Sequence, residues 1–186
     1  MSKKNDEGWI QLFNGGFFYF DDPTPEMINI LDIANALANC CRYTGHVAQF
    51  YSVAEHSVHM SHCVTGQNDS LAMWALMHDA TEAYIGDINW PLKQKPYMRP
   101  YIKLEEKIMK VIAEKFQLWP AFCPPSIKEL DRCICQDERE VLLPPSDKSW
   151  GINPDDKLNV KIDCWQPHYA RSRFLNRFKQ LGGKIE

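Results

Sequence analysis

No stretch of the 186 residues approaches the run of ~18 apolar residues that a membrane-spanning helix needs, so no membrane partner is expected. The segment from Met1 to Glu7 is polar and charged and lacks the apolar run of a secretory leader, which predicts a cytoplasmic protein. A large excess of one sign of charge is lacking too. The formal net charge is -3 and the pI near 6.1, leaving no general field to recruit a nucleic-acid polymer. No CxxC pair occurs among the seven cysteines, their number is odd, and Cys40 and Cys41 are adjacent. That speaks against a disulfide framework or a thiolate zinc site, and the thiols read as reduced core filler. Internal repeats and low-complexity segments are also missing. What is present is 45% hydrophobic residues in a length that suits one core, hence one domain spanning 1–186.

The patterning is helical. An aromatic-rich stretch from Ile10 to Phe20, interrupted by Asn14-Gly15-Gly16, predicts a small β-hairpin. Helical spacing of Ile33, Ala36, Leu37, Cys40 and Cys41 predicts a first helix over about Ile30 to Tyr43. Ser52 with Glu55 forms a capping-box pattern that starts a second, in which His56 falls inside the apolar stripe and His62 points away. A third is expected from Asp69 as N-cap through Ile85, stopping at Gly86 and carrying His78, Asp79 and Glu82. The cleanest amphipathic run is a fourth, about Tyr101 to Phe116. After Pro120, Pro124 and Pro125, a second capping-box pattern at Ser126 and Glu129 precedes a fifth helix to about Leu143. Pro144 to Trp165 reads as loop with one short strand around Val160 to Ile162. Pro167 opens a sixth helix, with Ala170, Phe174, Phe178 and Leu181 inward and Gly182-Gly183 at its end. The expected class is an all-α bundle whose sites lie between facing helices.

Chemistry concentrates on the third expected helix. His78 and Asp79 are adjacent, about 100° apart, and Glu82 follows one turn on. Imidazole with carboxylate suits a borderline divalent ion such as Zn, Mn, Fe or Co, whereas oxygen donors alone would point to Mg or Ca. His56 sits on an apolar face, where an unpaired imidazole is costly, although a lone core histidine is more often simply hydrogen-bonded. Asp131 lies on the apolar face of the fifth helix beside Ile127 and Ile134; such a carboxylate needs a partner, and a metal is one. Glu82 reads as a solvated glutamate or a proton acceptor, and Asp87 as an Asx turn residue or a proton donor. Arg42, Lys93 and Lys128 are either surface cations or phosphate ligands; Tyr43 and Trp90 are either packing aromatics or stacking platforms for a base. Glu138, two turns beyond Asp131 on its face, is either a support for a metal ligand or half of an interhelical ion pair. His46, His59 and His168 have no part in this pattern.

Taken together, Arg42, the run Ser-Val-Ala-Glu55-His56-Ser, the run His78-Asp79-Ala-Thr-Glu82-Ala-Tyr-Ile-Gly86-Asp87 and Asp131 resemble the HD-domain phosphohydrolase superfamily over roughly Asp32 to Leu143. More closely, the pattern is similar to bacterial 5'-deoxynucleotidases and to phage HD phosphohydrolases of the dATP triphosphohydrolase type. The resemblance implies an HD-type helical bundle, with His56, His78, Asp79 and Asp131 holding a divalent transition ion (Zn, Co or Mn) and a second divalent ion accompanying the substrate phosphates. It also implies Glu82 at the attacking water, Asp87 at the leaving group or in support, and Arg42, Lys93 and Lys128 on phosphates. A homo-oligomer is expected by the same resemblance, in the host cytoplasm if the chain is phage-encoded. The Gly-Tyr-Pro signature of HD enzymes that cleave cyclic dinucleotides is absent after Asp87.

Three cations beside the motif exceed what a monophosphate needs. The first expectation is therefore a deoxynucleoside triphosphate triphosphohydrolase, dATP preferred, releasing deoxynucleoside and triphosphate. A 5'-deoxynucleoside monophosphatase is the enzymatic alternative, and a non-catalytic nucleotide-binding regulator the alternative of another class. The mark of the regulator would be a missing ligand or a missing Glu82, and all of these residues are present.

Overall fold

A computed structural model of the protein describes residues 8–64 and 68–185, so the polar segment Met1 to Glu7 lies outside the described residues. The fold is mostly helical, with one small antiparallel hairpin near the N-terminus. Strands β1 (Trp9–Gln11) and β2 (Phe17–Tyr19) pair with Ile10 opposite Phe18. The Asn14 side chain accepts from Gly16 N at 2.7 Å, and Gly15 takes the positive φ (87°) that the tight turn requires. The hairpin is part of the core: Phe18 is fully buried and stacks on Tyr84 at 4.3 Å, while Asn14 N donates to Asp32 Oδ1 at 2.8 Å.

Helix α1 (Ile30–Asn39) begins where Asn29 accepts from Leu31 N, and it is shorter than its apolar spacing predicts. The chain leaves the helix at Cys40 to pair with the segment before the next one: Val53 N donates to Cys40 O and Arg42 N to Tyr51 O. A tight 3-10 turn follows over Arg42–Gly45, with Tyr43 and Thr44 in the left-handed region at φ 57° and 54°. Helix α2 (Val53–Cys63) starts at Ser52, whose hydroxyl accepts from Glu55 N as expected.

The expected continuous helix over Asp69 to Ile85 is two pieces. Helix α3 (Asp69–Met77) is capped by Asn68 rather than Asp69. Bonds of the i to i+3 kind, Ala80 N to Met77 O and Glu82 N to Asp79 O, then tighten the chain through His78 and Asp79 before the one-turn helix α4 (Glu82–Ile85). Gly86, at φ 76°, ends it. A second one-turn helix, α5 (Trp90–Lys93), leads to the amphipathic α6 (Arg99–Lys115).

Helix α7 (Pro125–Leu142) begins without the capping box read at Ser126. Pro125 has no amide to cap, and the Glu129 carboxylate pairs with Arg132 instead. Nor do Val160 to Ile162 form a strand. That stretch is extended, but Leu158 N and Val160 N donate to the Asp137 carboxylate at 2.9 and 3.0 Å, so a side chain does the work of a neighbouring strand. Helix α8 (Pro167–Gln180) packs across α1 and α2 and buries Ala170, Phe174 and Phe178.

The core runs through Ile33 and Leu37 of α1, Val58 of α2, Trp74 and Leu76 of α3, Ile108 and Ile112 of α6, and Phe174 and Phe178 of α8. All seven cysteines are free thiols. Among the described residues no helix is long and apolar enough to cross a membrane.

Candidate metal centre

Four donors from three elements converge at one face of α2. His56, in the second turn of α2, has no solvent exposure. His78 and Asp79 come from the tightened turn after α3, and Asp131 from the second turn of α7. The donor atoms of His56, His78 and Asp79 all lie within 4.8 Å of one another. His56 Nε2 is 3.3 Å from His78 Nε2 and 3.8 Å from Asp79 Oδ2, and His78 Nε2 is 3.1 Å from Asp79 Oδ2. Asp131 Oδ1 closes the group at 3.2 Å from His56 Nε2 and 4.0 Å from His78 Nε2.

Hydrogen bonding on the far side of each ring decides what the near side offers. His78 Nδ1 lies 2.8 Å from Ala75 O, and His56 Nδ1 lies 2.5 Å from Glu138 Oε1. A carbonyl and a carboxylate only accept, so each Nδ1 carries a proton and Nε2 is the nitrogen left to give a lone pair to an ion, which at His56 means displacing the proton its carboxylate neighbours favour. Two imidazole nitrogens and two carboxylate oxygens with this geometry fit a borderline divalent ion.

The electrostatics agree with a site built for positive charge. Burial favours neutral acids, yet His78, His56 and Arg42 outweigh it and hold the Asp79 carboxyl far below its ordinary range. Asp131 is lowered as well, against its own burial, by His56 and His78. Burial and Arg42 press His56 toward neutrality, but Glu138 and Asp131 prevail and hold its imidazolium at about 9. Glu82 goes the other way: burial, then Asp79 and Asp87, push its carboxyl well above the ordinary range, with Lys93 opposing. Its Oε2 is buried without a hydrogen-bond partner. Asp87 is half-buried and raised by that burial.

The cations are less free than their sequence positions imply. Arg42, only 9% exposed, lies 3.4 Å from Asp79, 3.8 Å from Asp131 and 3.3 Å from Glu138. Lys93 donates to Glu105 at 2.7 Å and lies 3.8 Å from Glu82. Lys128 is exposed on α7, one turn before Asp131. Tyr43 donates its hydroxyl to Glu138 Oε2 at 2.5 Å, and its ring faces Trp150. Trp90 is 71% exposed. Two partners had no sequence signal: Glu105, whose pairing with Lys93 crosses between elements, and the Ala75 carbonyl, freed where the helix breaks. A second cluster, Glu129, Cys133 and Asp156, is already bridged by the Arg132 guanidinium.

No family model matches the chain. It is 40% identical over 177 residues, spanning 93% of this chain and 95% of the relative, to the uncharacterized protein YfdR of Escherichia coli (strain K12). It is also 34% identical over 126 residues, 64% of this chain and 63% of the relative, to the uncharacterized protein RCAP_rcc00048 of Rhodobacter capsulatus.

Proposed function

The chain belongs to the family of Escherichia coli YfdR, and from the donor cluster it carries we propose that it is a metal-dependent phosphohydrolase of the HD type acting on deoxynucleotides. The observation that carries this reading is the pair of imidazoles whose Nδ1 atoms are committed to Glu138 and Ala75 O while their Nε2 atoms face Asp79 and Asp131. His56, His78, Asp79 and Asp131 would hold the ion, which supplies Lewis acidity toward a phosphoryl oxygen and a water. Such an open set of histidines and carboxylates suits catalysis better than a structural site.

The chain's own residues supply the proton handling. Glu82 Oε2 is buried and unpartnered, and in its ionised form, which Lys93 favours, it would accept a proton from an attacking water. Asp87, raised by burial, would hold a proton for the leaving oxygen. Arg42 balances the carboxylates behind the donors.

Release of triphosphate from a deoxynucleoside triphosphate, dATP first, is the substrate reading that the HD resemblance brings. A specific observation favours the second reading, a 5'-deoxynucleoside monophosphatase. Arg42 and Lys93 already have carboxylate partners, which leaves exposed Lys128 as the unengaged cation of the three. Product analysis with each deoxynucleoside mono- and triphosphate and Mn, Co or Zn separates them, since inorganic triphosphate marks the first and orthophosphate from monophosphates the second. Asp79→Ala is expected to lower turnover at least a hundredfold. Full activity in that variant would sink the proposal, and a wild-type protein that binds nucleotide without turnover would favour the regulator.

A further inference from the structure

Glu138 is fully buried, and each of its oxygens is occupied. Oε1 meets His56 Nδ1 at 2.5 Å; Oε2 accepts from the Tyr43 hydroxyl at 2.5 Å and from Arg42 Nε at 3.3 Å. These lengths separate the two roles open to such a residue. In an interhelical ion pair the guanidinium contacts would be the close ones, yet both Arg42 contacts are 3.3 Å, at the long end for a charge-assisted bond. The close contacts are to the imidazole and the phenol. The backbone supports the same assignment: Tyr43 reaches Glu138 from a left-handed conformation that bulky side chains rarely adopt, and its neighbour Thr44, also left-handed, accepts from Asn89 Nδ2 at 2.7 Å. Two successive left-handed residues of the turn are thus each held by a side-chain hydrogen bond, Tyr43 to Glu138 and Thr44 to Asn89.

We propose that Glu138 is the positioning residue of the metal centre, its carboxylate fixing the tautomer and orientation of His56, with Tyr43 fixing the carboxylate in turn. This rests on the metal-centre reading above. An imidazole that donates to a carboxylate is both oriented and made more basic, and the loss of such a partner costs a metal site about 10–100-fold in affinity. Glu138→Gln keeps the volume and an acceptor but removes the charge; Tyr43→Phe removes one hydroxyl.

The test is Co(II) titration of the metal-free protein, followed by calorimetry and by visible absorption, on wild type, Glu138→Gln, Tyr43→Phe and Asp79→Ala. Wild type is expected to bind with a spectrum that Asp79→Ala abolishes, Glu138→Gln to bind about 10–100-fold more weakly with shifted bands, and Tyr43→Phe severalfold more weakly. A folded Glu138→Gln protein with wild-type affinity and spectrum overturns the inference while leaving the metal centre standing. If Glu138→Gln does not fold, Tyr43→Phe decides, and wild-type affinity there overturns it. Failure of wild type to bind Co(II) in an Asp79-dependent way overturns the metal-centre reading itself and this inference with it.

Discussion

Glu55 shows how much one side chain can hold without touching any donor atom of the site. It stands next to His56 with no solvent exposure, and its carboxylate accepts from Asp163 N at 3.2 Å and Trp165 N at 2.6 Å. Bonds from backbone amides to a charged acceptor are worth ~1.5–3 kcal/mol each, and truncation leaves both amides unmatched. Glu55→Ala is therefore expected to lower stability by about 3 kcal/mol, read as a fall in the urea midpoint at unchanged slope. In sequence, Glu55 reads as the returning arm of a capping box. The Ser52 half of that box exists, but the carboxylate is spent on amides more than a hundred residues away, a pairing that local pattern cannot reveal. Glu138 is the converse case. Its position two turns beyond Asp131 already put it on the right face, and only the distances to His56, Tyr43 and Arg42 chose between its two readings.

Among the elements, those whose apolar stripe is long and regular were legible. Helices α6 and α8 lie within two residues of their expected bounds, because burial of Ile108, Ile112, Phe174 and Phe178 decides them without help. Helices α2 and α7 also start within a residue of their expected positions, whereas the turn that carries His78 and Asp79 was not legible. Helical spacing carries straight through His78 and Asp79, yet the backbone tightens there, and nothing local to the sequence records that change. The Val160 segment likewise alternates like a strand in sequence, but the acceptor its amide finds is the Asp137 carboxylate. At the end of α8, Gly183 has no room for a side chain, since a Cβ there would meet the buried Phe178 ring at 2.3 Å. Gly183→Ala should thus cost ~1–3 kcal/mol through displaced packing, measurable by thermal or urea unfolding, while Ser52→Ala at the start of α2 should cost about 1 kcal/mol.

Across the whole molecule, part of the acid sensitivity of the fold comes from the same buried carboxylate. Burial alone would raise the Glu138 carboxyl, but Arg42 and His56 outweigh it and hold it at about 2. A folded-state value below the ordinary ~4.3 means that its ionised form stabilises the fold at pH above that range, and that this contribution is lost as pH falls through about 4 toward 2. Unfolding of the metal-free protein, followed by circular dichroism from pH 7 to pH 2.5, should show stability dropping in that window. The drop should be shallower in Glu138→Gln, and an equally steep one would show that other carboxyls govern it.

The tie from Glu55 to residues 163 and 165, together with the seat of α8 across α1 and α2, bears on the order in which the protein is made. All four candidate donors are synthesised by residue 131, whereas the acceptor-seeking amides of Asp163 and Trp165 and the helix α8 that brace the helix carrying His56 emerge later. During vectorial synthesis the candidate ligands are thus translated before the C-terminal segment that completes their support, and on the proposed metal reading ion uptake would be finished only after that segment has docked.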